Sequence, residues 1–219
     1  MFAINHAATA LVIKKRFPTV PMIWLLLSVQ LVELMWVILN YLDIEETSTE
    51  ESVRSVADIH LAHMPFSHSI ASSSIITFLA WILIAKVLRR PTVALAVSIG
   101  IFSHIVLDVM THSQDISVVP FIWDAKIGLG LYEIPLLAFF VEAAYGVFCW
   151  WLFGGGRALL ATILIFNLAN FSFFSAAVSG PETLMANHPL WIVTAVALQI
   201  IITLALVGYL ARRDAATMV

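Results

Sequence analysis

An all-α membrane bundle is the fold class this sequence predicts, and three observations predict it. The chain of 219 residues is 61% hydrophobic and has a mean hydropathy of +0.98. Only 11% of its residues are charged, where a soluble domain carries about 25%. Its apolar residues fall in runs close to the roughly 20 that a helix needs to cross hydrocarbon. The expected architecture is a polytopic bundle of about six transmembrane helices plus a short N-terminal helix, with both termini cytoplasmic. No polar stretch is long enough to fold separately, so residues 1–219 read as a single integral membrane domain.

The elements follow in order. Residues 2–13 make an apolar helix too short to span, either interfacial or half-inserted. Spans are expected at 20–42, 68–88, 91–112, 134–153, 157–178 and 189–210. Arg89-Arg90-Pro91 makes a tight basic turn, Gly154-Gly155-Gly156 breaks the chain, and Gly180-Pro181 breaks it again. The run after Lys14-Lys15-Arg16 is long enough to span and lacks a small-residue cleavage site, so no cleavable signal peptide is expected.

Orientation comes from the basic residues. With Lys14–Arg16 in the cytoplasm, Lys86, Arg89, Arg90, Arg157, Arg212 and Arg213 also fall inside, which makes nine of 11. Only Arg54 and Lys126 fall outside, where Asp43, Glu45, Glu46, Glu50, Glu51, Asp58, Asp115, Asp124, Glu133 and Glu182 collect. The acidic loop 43–67 reads as a partly ordered cap. Loop 113–133, with Pro120, Gly128 and Gly130, can fold back over the bundle, and its Phe121, Trp123 and Tyr132 suit the membrane interface. The net charge of −3 argues against a nucleic-acid partner. The single Cys149 allows no intramolecular disulfide.

The informative residues are polar groups inside these runs. His104, Asp108 and His112 are spaced by four and so share one helix face. At 1.5 Å per residue, Glu33 and Glu142 lie about 10 Å below the outer boundary, His104 about 12 Å and Asp108 about 6 Å. His68 opens its span at the same side. Four spans thus bring carboxylates and imidazoles to one layer in the outer half of the membrane. Such groups are costly in hydrocarbon and mark function.

Imidazole and carboxylate together suit a divalent metal such as zinc, which would also neutralise carboxylates in a low-dielectric site. His104 and Asp108 can face one ion from a single helix, with Glu33 and His68 completing the shell. Glu142, or Asp115 beside His112, is a candidate general base or an orienting partner. Gln30 shares the face of Glu33. His60 and His63 read as surface residues of a polar loop, and His188 has no partners in sequence. His6 reaches the site only if the first helix is half-inserted.

The motifs carrying these residues also resemble a known family. Asn5-His6-Ala7 with Lys14-Lys15-Arg16, Gln30-Leu31-Val32-Glu33 and Ser67-His68-Ser69 are similar to the opening motifs of the YdjM-like proteins of bacterial inner membranes, which are described as metal-dependent hydrolases. The similarity continues through Ser103-His104-Ile105-Val106-Leu107-Asp108, Thr111-His112-Ser113-Gln114-Asp115, Gly128-Leu129-Gly130-Leu131-Tyr132 and Glu142. It makes 1–150 the family-like metal-site region, while 157–210 carries two C-terminal transmembrane helices. The resemblance implies metal ligands at His6, Glu33, His68, His104 and Asp108, with Glu142, Asp115 and His112 as catalytic candidates. It also implies hydrolysis of an ester or phosphoester. Two departures stand out. Glu33 occupies a position where members usually carry Asp. Ser113-Gln114 stands where they often have Arg-Pro, which removes an obvious phosphate clamp.

The leading expectation is therefore a membrane-bound, metal-dependent hydrolase, multi-pass in a bacterial inner membrane. Its partners would be the lipid bilayer and a lipid or small-molecule ester. The alternatives are a proton or metal-ion transporter using the same cluster, or a non-catalytic membrane component. A transporter needs polar groups in the inner half as well, where only Asn167, Asn170 and Gln199 are available. The two halves also lack the matching broken helices of inverted-repeat transporters.

Overall fold

The computed structural model describes residues 1–217, and its framework is helical: α1 (Ala3–Arg16), α2 (Met22–Tyr41), α3 (Ile70–Ile82), α4 (Pro91–Thr111), α5 (Pro135–Phe153), α6 (Arg157–Ala169) and α7 (Pro189–Thr217). Proline opens α4 and α5, where its missing N–H would be unpaired in any case. Ser69 caps α3 by accepting from the Ser72 amide. Gly154 ends α5 in the left-handed region at φ 80°. Past Ile82 the third helix widens into a π turn (Leu83–Val87) that leads into the basic turn before α4.

Five segments are long and apolar enough to cross a membrane: Met22–Tyr41, Ile70–Val87, Pro91–Thr111, Pro135–Phe153 and Pro189–Asp214. The span expected at 157–178 is different. Its helix, α6, stops after 13 residues, about 20 Å, short of a hydrocarbon core of about 30 Å. Asn170 turns its amide back onto the Phe166 carbonyl and the chain leaves in a 3-10 turn (Phe171–Phe174).

The N-terminal helix is not interfacial. Every residue from Ala3 to Leu11 is buried, and Ile4, Ala7 and Leu11 join Leu25, Leu26 and Val29 of α2 and Leu159 and Ile163 of α6 in the main core. α1 packs as a buried helix of the bundle. Met1 lies against Asp108 of α4, so residue 1 packs inside the bundle.

The two loops at the other end each fold into a hairpin. β1 (Glu46–Thr49) pairs antiparallel with β2 (Ile59–His63), and β3 (Ile116–Val119) with β4 (Trp123–Ile127). A single bridge between Ser69 and Ser117 ties the second hairpin to the start of α3. Phe121 and Trp123 at its tip are exposed, as an interfacial role requires. Tyr132 is not. It is buried, and its hydroxyl donates to Glu142 at 2.9 Å.

Candidate metal centre

The site is built on the crossing of α2 and α4. Ser28 and Gly100 meet there so closely that a Cβ on Gly100 would lie 2.0 Å from Ser28 Oγ. One turn further along α4, His104 reaches the backbone of α2, with its Nδ1 2.7 Å from the Val29 carbonyl oxygen. A carbonyl only accepts, so Nδ1 carries a proton, and in the neutral ring Nε2 is then a lone pair turned inward, as a metal ligand requires.

His68 is fixed in the same way from the other side. Glu45 accepts from the backbone amides of Phe66 and Ser67 at 2.8 Å each, and from the Ser67 hydroxyl at 2.5 Å. The one proton of Ser67 is thus committed to the carboxylate, and Ser67 Oγ, 2.9 Å from His68 Nδ1, accepts from it. The relay from His68 through Ser67 to Glu45 places a proton on Nδ1, so the neutral ring offers Nε2 as a ligand.

Those two nitrogens converge with two carboxylates. His104 Nε2 lies 3.0 Å from Asp108 Oδ2 and 3.3 Å from Glu33 Oε2. His68 Nε2 lies 3.4 Å from Glu33 Oε2 and 3.6 Å from Asp108 Oδ2. All four ligand atoms fall within 4.8 Å of one another. Despite the short separations, neither His104 Nε2 nor Asp108 Oδ2 has an aligned hydrogen-bond partner. A single proton serves one such pair; a cation at the centre serves all four. Donor chemistry and spacing agree, since arms of 2.0–2.1 Å in a tetrahedron put ligand atoms roughly 3.3–3.4 Å apart. This group can hold a metal ion.

Other sequence candidates take separate places. His6 is buried beside the cluster, stacked on His104 with centroids 3.8 Å apart, and its Nε2 is 3.2 Å from the second oxygen of Asp108, Oδ1. The Met1 amino nitrogen reaches that oxygen at 2.8 Å. His6 thus touches a ligand without joining the four. Glu142 is further back. It accepts from the Phe2 amide, Asn5 Nδ2 and the Tyr132 hydroxyl at 3.0, 2.7 and 2.9 Å, a fully engaged carboxylate. Of its two anticipated roles, the geometry fits the orienting one, because Asn5 lies on the helix that carries His6. Burial and the Glu142 carboxylate push the Tyr132 phenol well above its ordinary pKa, so it stays a donor. His112 and Asp115 are part-buried neighbours, with Nδ1 and Oδ2 3.7 Å apart, too long for a hydrogen bond. One oxygen of Asp115 is buried without a partner. Gln30 donates to the Ala3 carbonyl at 2.6 Å and so ties α1 to α2. His60 faces Glu50 at the exposed surface.

A cavity of about 250 Å³ adjoins the cluster. Glu33, His68, His112 and Tyr132 form its polar wall, while Trp36, Phe173, Met185 and Val196 belong to its apolar lining. Thr47, Val56, Ile59 and Leu61 from the β1–β2 segment also line it, so the expected cap is an ordered wall. Glu33 is the most open of the four convergent residues, its side chain 16% exposed against 0–3% for the others.

The residue that sequence reasoning missed is Glu45. It looked like one more outer-loop acid, and no spacing motif links it to Ser67, 22 positions on. Ser67→Ala is expected to weaken metal affinity by roughly 10- to 100-fold, as loss of a ligand-orienting partner does, with little change in thermal stability once metal is saturating. Competition with a chromogenic chelator measures it. Comparison with protein-family models, with curated proteins and with solved structures finds no match to this chain.

Proposed function

We propose that this protein is a membrane-bound, metal-dependent hydrolase that cleaves an ester in the outer half of a bacterial inner membrane. The supporting observation is the juxtaposition of Glu33, His68, His104 and Asp108 with a largely apolar cavity. Zinc is the ion proposed, because two imidazoles and the Asp108 carboxylate at these separations suit three of its short tetrahedral bonds and would leave the fourth position, toward Glu33, for water. A bound divalent ion supplies Lewis-acid polarisation of a carbonyl and acidifies water. The chain supplies the rest. His68, His104 and Asp108 hold the ion from the buried side, while Glu33, at the cavity wall, orients water or takes its proton. His112, with Asp115 behind it, is placed to return a proton to the leaving group.

In the proposed topology the basic ends of the helices face the cytoplasm, α1 is half-inserted, and α6 with the 171–185 segment closes the outer side. Membership of the YdjM-like family is part of the same proposal.

One observation favours a second reading. Four protein ligands make a closed shell, which is the habit of structural zinc. Glu33→Gln separates the two. In the hydrolase reading it keeps bound metal and lowers kcat on a chromogenic alkanoate ester by about 10²- to 10⁴-fold, the range for loss of a general base. In the structural reading it loses metal and stability together, and the wild type turns over no ester.

A further inference from the structure

Charge around the cavity says what kind of ester it fits. Glu33 and Asp108 each bring a negative charge and Glu142 stands behind them, whereas no Lys or Arg lines the cavity. The two basic residues of the outer loops, Arg54 and Lys126, are both exposed. A divalent ion held by neutral imidazoles leaves this group at −1, or at zero when the Met1 amino group on Asp108 is counted as a cation. With His6 and His112 in their neutral resting forms, no net positive charge remains for an anionic head group, and a buried unpaired anion is strongly disfavoured. The opposite end of the cavity is neutral as well. There Asn170 and Gln199 satisfy each other, with Gln199 Nε2 donating to Asn170 Oδ1 at 2.7 Å. At about 250 Å³ the cavity has room for an alkyl chain segment.

Resting on the hydrolase reading above, we infer that the cavity seats a single-chain, electroneutral amphiphile whose carboxylic ester, rather than a phosphoester, lies against the cluster. Trp36, Phe173, Met185 and Val196 hold the apolar chain, and the ester carbonyl faces Glu33 and His68. Water adds its oxygen to the carbonyl carbon and the bond from that carbon to the alcohol oxygen breaks. The alcohol oxygen takes one water proton and the carboxylic acid carries the other. No oxidant or further reactant is needed.

The test uses full-length protein in phosphatidylcholine nanodiscs and two non-hydrolysable photoprobes. Both share one diazirine-bearing alkyl chain with a ketone in place of the ester; one has a free glycerol head, the other the same head phosphorylated. The neutral probe is expected to label the peptides containing Met185 and Val196 at least tenfold more than the phosphorylated one, a modest demand on a site that leaves an anion unpaired. Ala195 and Ala169 also line the cavity, so Ala195→Trp and, separately, Ala169→Phe should remove that labelling while bound metal, measured by elemental analysis, stays unchanged. Equal or stronger labelling by the phosphorylated probe overturns the inference, as does labelling confined to the lipid-facing surface. Turnover of the matching ester is scored separately. Cavity labelling without hydrolysis tells against the hydrolase reading and leaves the binding site standing.

Discussion

Asp108→Asn is expected to empty the metal centre. Asp108 Oδ2 is the one atom close to both histidine nitrogens that is also wholly buried and without a hydrogen-bond partner. An amide there keeps the shape but loses the charge, and it can turn an NH₂ toward His104. The site then offers one carboxylate, the half-buried Glu33, against a divalent ion in a low-dielectric interior. Affinity should fall by more than the roughly 100-fold that marks the upper range for an orienting partner, so elemental analysis of detergent-purified protein should show about one equivalent in wild type and none in the variant.

The stability signature is more specific. A ligand present at about 100 times its Kd stabilises the fold by about 2.7 kcal/mol, so chelation should lower the wild-type Tm and leave the variant unmoved. Metal-free wild type and variant should melt within about 1 kcal/mol of one another. Removing Asp108 relieves its proximity to Glu33, but it also costs the Met1 amino group its partner at 2.8 Å. A variant that keeps its ion, or a wild type whose Tm ignores chelator, would sink the metal assignment.

The parts of this molecule that were legible in sequence are those written as local periodicity. Four long apolar runs appear as helical segments within about two residues of their expected bounds, and the fifth starts at Pro189 as expected but runs past 210 to Thr217; the ends that agree are marked by Pro91, Pro135, Pro189 and Gly154. The convergence of Glu33, His68, His104 and Asp108 was legible too, since depth along a helix is arithmetic once orientation is set. Contacts between distant segments were not. Nothing in the 2–13 run says that it will lie inside the bundle, where small residues such as Ala7 and Ala10 let neighbours approach closely. Nor does hydropathy reveal that the 157–178 run stops at Ala169, where asparagine side chains take over backbone acceptors. Tyr132 reads as an interfacial aromatic until the buried Glu142 carboxylate that fixes its hydroxyl is seen.

Gly100→Leu should cripple the site without touching a ligand. Even the Cβ of any replacement would sit 2.0 Å from Ser28 Oγ and 2.8 Å from Ser28 Cβ. Rotating the serine relieves only the first of these and breaks its bond to the Leu25 carbonyl. Replacing a helical glycine by a good helix former is worth about 1 kcal/mol, whereas forcing extra volume into a packed contact costs about 1–3 kcal/mol, occasionally more. Overpacking wins, and α4 must move away from α2. That motion stretches the 2.7 Å contact between His104 Nδ1 and the Val29 carbonyl, so the imidazole loses the partner that fixes its tautomer and aim. The expected result is a lower Tm together with metal affinity weakened by about 10- to 100-fold. Gly100→Ala should show the same pair of effects in smaller measure, and adding Ser28→Gly should restore metal binding to the alanine variant. That rescue is the decisive measurement. A coupling energy near zero in the double-mutant cycle would mean that the helix crossing does not set the geometry of the cluster, whereas strong coupling would show that a backbone approach of two helices is what aims the histidine.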